Sequence, residues 1–240
     1  MEQSFNFVET IGVVAVARYV FEMSLWLRLF SLDSRYGLVY YAELLRTQRR
    51  YWKDYRVQLD REITLLREFE DKEHNAQTRA MSNTSISTDS RKLNDDLLSI
   101  RNHIDNEAAR RFSIYAEQAK TNGYGFQAYL LEKKVVPIID QSLANVDSEQ
   151  TAFYARIPQS IKVMIPANWH WRQLAQKVGL TDEYDFIYSF SSKLLHATPL
   201  SITTDQKNLE LPEMAVFLKY INIKIVEVIE LTREYQPIAT

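Results

Sequence analysis

From Ile11 to Leu32 the chain reads IGVVAVARYVFEMSLWLRLFSL, apolar at nearly every position but interrupted by Arg18, Glu22 and Arg28. A segment this apolar around its whole circumference predicts a helix buried on most sides, running from about Asn6 to Phe30. Ser31-Leu32-Asp33-Ser34 ends it, and a second helix begins near Ser34. The first helix is long enough to cross a bilayer, yet a mid-span Arg costs about 2.5–3.5 kcal/mol there. No basic segment precedes it and no small-residue cleavage site follows it, so the expectation is no membrane span and a cytoplasmic protein.

From Tyr51 onward the apolar positions thin out and become regular. Tyr55, Leu59, Ile63, Leu66 and Phe69 recur at threes and fours, with charges between them. After the polar tract at 82–90 a matching stripe follows, through Leu93, Leu97, Ile100, Ile104, Ala108, Phe112, Tyr115 and Ala119. Two narrow stripes joined by turn-forming residues predict an antiparallel helical hairpin over about residues 43–121. The chain then reads as one helical domain in which this hairpin protrudes between body segments 1–42 and 122–240.

Past Asn122-Gly123 a helix is expected at about 126–143, bent or bounded by Pro137. A short helix capped by Asp147 comes next, and Ile161–Ile165 is either a strand-like piece or a buried loop. Asn168 is expected to cap a helix that Gly179 stops, and Thr181 one that Pro199 stops. Pro212 opens a last helix whose core face is drawn through Phe217, Leu218, Ile221, Ile225, Val228 and Ile229.

Composition narrows the class. Five glycines and six prolines in 240 residues leave little material for strand ends, tight turns or phosphate-cradling loops. All six prolines fall at or after Pro137, so the first half can run in long helices while the second is cut short. The fold class expected is all-α, a multi-helix bundle. With no cysteine, disulfides, thiolate metal sites and cysteine nucleophiles are excluded, and a net charge of −2 argues neither for nor against a polyanionic partner.

The four histidines, His74, His103, His170 and His196, include no HExxH and no i,i+4 pair, so neither a metal site nor a cofactor is expected. Tyr188, Ser192 and His196 share one helical face at i, i+4 and i+8, close to Asp185. His196 either satisfies the last carbonyls of its helix or belongs to a ligand-binding or acid–base site. Arg18 and Glu22 stand i,i+4 on the apolar first helix, as a structural pair or as part of an internal polar site with His196. Arg46, Arg49, Arg50 and Lys53 line one face, with Arg56 after them and Tyr51, Trp52 and Tyr55 interleaved. That run is a solvated face or a surface for RNA.

The segment Trp171-Arg172-Gln173-Leu174-Ala175, followed by Gly179, Tyr184, Tyr188, Ser192, His196 and Pro199-Leu200-Ser201, resembles the C-terminal signature of a family of uncharacterised bacterial helical proteins. Arg18-Tyr19-Val20-Phe21-Glu22 is similar to the Arg-x-x-x-Glu near that family's start. The chain also looks distantly like the HEPN superfamily, many of whose members are metal-independent RNases of toxin–antitoxin and anti-phage systems. Those enzymes use an Arg followed by a His, a spacing that Arg67 and His74 meet, although Glu68 stands where Asn, Asp or His is usual. The resemblance implies a bacterial stress or defence setting. Within it the leading expectation is a module acting by protein contacts or self-association through the hairpin. The alternative is an RNase or nucleotide-handling enzyme using either Arg67 and His74 or a pocket of Arg18, Glu22, Tyr188, Ser192 and His196.

Overall fold

The computed structural model describes residues 7–83, 90–188, 191 and 209–235. The described residues are all-α, and they divide into two compact units: residues 1–43 with 157–240, and residues 44–156. The second unit thus takes in the stretch from Gly123 to Arg156, which the sequence pattern assigns to the body.

In the first unit, α1 (Phe7–Leu32) packs along the last helix, α10 (Leu211–Glu234). The two run parallel. Thr10 accepts a hydrogen bond from the Leu209 amide at one end, and Ser24 donates to Glu227 further along, at 3.1 Å. Val14, Ala17, Phe21, Leu25 and Leu29 form the buried side of α1, at spacings of three and four. The short helices α7 (Gln159–Met164), α8 (Trp171–Lys177) and α9 (Thr181–Glu183) supply Leu174, Ala175 and Leu180 to the same core or flank it. α9 continues into a wide π-turn at Tyr184–Tyr188. Gly179, at φ +73°, makes the left-handed exit from α8 that any side chain would strain.

Glu9–Leu32 is the one described helix long and apolar enough to span a membrane; one face of it, through Val14, Phe21, Leu25 and Leu29, packs on protein, while Val16 and Leu32 are exposed. Ile161 to Met164 are helical, within α7, rather than a strand or loop, and Ile165 is the extended residue that ends it. α8 is preceded by His170 in the capping position, not by Asn168.

The second unit is built on α2 (Tyr36–Asn83), a 48-residue helix that enters it from the first unit. α3 (Ser90–Ala109) pairs antiparallel to it, through Glu73–Arg101 at 3.1 Å and Lys72–Glu107. The stripe predicted for the second arm does not continue to Ala119 in one helix. α3 stops at Ala109, Phe112 is fully exposed, and α4 (Ile114–Asn122) turns back against α3. Ser113 starts α4 by accepting the Ala116 amide at 2.9 Å while its hydroxyl donates to the buried Glu62.

α5 (Tyr124–Leu130), a π-turn at Leu131–Val135 and α6 (Val136–Arg156) then follow α2 back. Three of its arginines mark the register: Arg67 to Glu132, Arg56 to Asp140 and Arg49 to Asp147. Pro137 lacks the amide that would bond the Lys133 carbonyl, and the widened turn lies just before it. α6 continues unbroken through Asp147, where a new helix start was expected. Leu59, Leu66, Phe69, Ile104 and Ala108, the heart of the two stripes, are buried in this unit's own core.

Candidate functional site

The first unit gathers several of the singled-out residues. Arg18 donates through Nε to Glu22 at 2.9 Å, one turn apart on α1, with both side chains about a quarter exposed. The same guanidinium lies 4.2 Å over the ring of Tyr188, a cation–π contact that orients both. The π-turn places Tyr188 parallel to Tyr184, with ring centroids 4.7 Å apart. Tyr184 is pushed up in pKa, chiefly by burial and then by its neighbours Tyr188 and Asp185, so it stays a neutral phenol.

Facing these rings, α8 and the turn before it carry Trp169, His170, Trp171, Arg172 and Gln173 along an open cleft of about 410 Å³. Arg172 holds Asp185 in a two-pronged ion pair at 2.9 Å on each prong. That pairing lowers the Asp185 carboxyl below its usual range and raises Arg172, so both stay charged. The indole N–H of Trp169 is buried and meets no acceptor among the described residues. Each arginine has its own carboxylate here, so the cleft is polar but close to neutral. Ser192 and His196, which would extend the row from Tyr188, lie outside the described residues.

The other predicted pair is placed differently. Arg67 is bound by Glu132 at 2.9 Å and by Glu70 at 2.7 Å, which drive its pKa further up. Its guanidinium therefore ties α2 to the π-turn at Leu131–Val135, while His74 lies two turns further along α2 and exposed. In the basic run, Arg49 pairs with Asp147, Arg56 with Asp60 and Asp140, and Arg46 is also engaged; Arg50 and Lys53 are exposed. No group of three or more His, Asp or Glu side chains that could hold a metal ion occurs among the described residues.

No family model, curated protein or solved structure matches the chain.

Two features escaped the reading of the sequence, both on α10. One is a buried charge network. Lys224, 4% exposed, lies 2.8 Å from Glu183 and 2.7 Å from Glu227. Glu227 also takes Arg28 and Ser24, and Glu183 accepts the Tyr220 hydroxyl at 3.0 Å. The available signal was Lys224 standing seven residues after Phe217, on the helical face that is in fact buried.

The other is the opposite flank of the helix. The core face runs through Met214, Phe217 and Lys224, with Ile221 and Val228 partly covered. Leu218, Ile225 and Ile229, which the pattern placed inward, are 52%, 42% and 45% exposed, and Leu211 is 54% exposed. A helix apolar on two flanks can bury only one against α1. The flank left over is a line of apolar side chains in water.

Proposed function

We propose that this chain is a cytoplasmic helical module of a bacterial stress or anti-phage defence system that works by binding protein. The observation carrying this reading is the exposed apolar flank of α10, where Leu211, Leu218, Ile225 and Ile229 stand in one line along the helix. A soluble protein keeps such a surface where something covers it. The hairpin stripe, the first candidate for an interface, is occupied by its own core, which moves the contact surface to α10. The defence setting rests on the family resemblance alone. The first helix fits a soluble module because its most apolar face packs on α10 and α8.

A photo-reactive side chain placed at Ile225 in living cells tests the reading. It is expected to form adducts with protein, and the same group at the exposed His74 is expected to form far fewer. Equal yields from both positions, or none from Ile225, would refute it. The second reading, nucleotide handling, is favoured by the aromatic cleft, where the rings of Trp171, Tyr184 and Tyr188 offer stacking surfaces. RNase chemistry at Arg67 and His74 gains no such support, because the arginine is committed to two carboxylates.

A further inference from the structure

The exposed flank of α10 has an internal order that mere apolarity does not require. Leu211, Leu218 and Ile225 are seven apart, and Ala215, Asn222 and Ile229 follow each of them by four. All six are exposed. Alternating steps of four and three along one helix make a heptad seam, with Ala215, Asn222 and Ile229 at a and the other three at d. Just one a position is polar, Asn222, near the middle of the seam.

We infer that α10 pairs in parallel with α10 of a second copy of this chain, resting on the protein-contact reading above and naming its partner. A seam with heptad spacing is what a helix needs to meet another helix side by side, and self-pairing is the symmetric solution. The lone asparagine selects the arrangement. In a parallel pair the two Asn222 side chains meet and satisfy each other's amides. In an antiparallel pair that overlaps the same seam each would be set against Leu218 and left short of partners.

The size of the surface sets the strength. A 24-residue helix is about 36 Å long and roughly 10 Å wide, so the seam alone covers about 700 Å² over both copies. That is small for a specific complex. Val226, 48% exposed, widens the apolar strip on one side. The pair should therefore be weak, form only as protein concentration rises, and exchange readily.

The absence of cysteine makes the test clean. The full chain is expected to sediment as a concentration-dependent dimer. Leu218→Glu with Ile225→Glu should leave it monomeric, its affinity for itself at least 100-fold weaker, with helical content retained. Leu211→Cys and Ile229→Cys, made separately, should each form a self-disulfide on mild oxidation, because parallel pairing sets each residue against its own copy. A parent chain monomeric at every concentration would overturn self-pairing. A chain that dimerises while neither Leu211→Cys nor Ile229→Cys forms the self-disulfide would overturn the parallel arrangement. If the chain is monomeric but a photo-reactive group at Ile225 still captures a different protein in cells, self-pairing fails and the contact reading stands. If it captures nothing, both fail.

Discussion

Replacing Lys224 by Met tests whether the buried network between α1, α9 and α10 is an obligate set of charges. Methionine keeps most of the length and removes the ammonium that lies 2.8 Å from Glu183 and 2.7 Å from Glu227. Deleting one partner of a buried ion pair costs about 3–5 kcal/mol, because the group left behind stays desolvated. Glu227 keeps Arg28 and Ser24 in the variant and Glu183 keeps Tyr220, which puts the expected loss at the lower end, about 3 kcal/mol. For a chain of this size that is a fall in Tm of roughly 6–12 °C, read by far-UV circular dichroism at neutral pH. Adding Glu183→Gln should recover part of the loss, since one uncompensated carboxylate disappears.

The pH dependence gives an independent check. Burial pushes the Glu227 carboxyl up, but the hydrogen bonds from Arg28 and Lys224 together bring it below its ordinary range. A carboxyl with a depressed folded-state pKa contributes stability in full above its unfolded value, about 4.3, and loses it as the pH falls through the folded one. Lys224→Met weakens that depression, so the gap between parent and variant should narrow as the pH drops below about 4. A neutral-pH Tm within about 2 °C of the parent would refute the argument, as would a gap of constant size from neutral to acid pH.

Leu66, fully buried in the second unit, should lose about 2–5 kcal/mol on change to Ala, seen as a lower urea midpoint; a loss under about 1 kcal/mol would mean that the stripe is not its core. For the nucleotide reading, Trp169 and Trp171 are natural reporters in the cleft. Mononucleotides or single-stranded RNA should quench their emission saturably, and Tyr188→Ala or Arg172→Ala should abolish the effect. No quenching by any nucleotide, with no RNA cleavage in EDTA, would remove that reading.

How much of this was legible beforehand follows from which residues set each feature. The long α2 is local: 48 residues with no proline, a single glycine near the start and a three-and-four stripe admit little else. The break between α3 and α4 is not. Arg110-Arg111-Phe112-Ser113 contains no glycine or proline, and Phe112 fits the helical repeat. The interruption is held by contacts distant in sequence, Ser113 with Glu62 and Arg101 with the Lys120 carbonyl at 2.8 Å. The last helix failed for a different reason. With apolar side chains on two flanks its periodicity names no unique core face, and a lysine on the buried side gives the hydrophobic pattern nothing to follow. At the cleft, the i,i+4 pairing of Arg18 with Glu22 could be read directly, whereas Arg18 over Tyr188 joins residues 170 apart and needed the fold.

The parallel pairing of α1 with α10 has a consequence for how the protein is made. The second unit is one continuous stretch, residues 44–156, and has all its parts as soon as that stretch leaves the ribosome. The first unit does not. Phe21, Leu25 and Leu29 emerge early, but α10 begins at Leu211, nearly 180 residues after α1 ends. At about 5–20 residues per second the most apolar helix of the chain waits roughly 10–40 s for its partner. Throughout that interval the nascent chain displays a sticky, unmatched surface behind an already folded middle. Slower translation of residues 157–210 would lengthen the exposure.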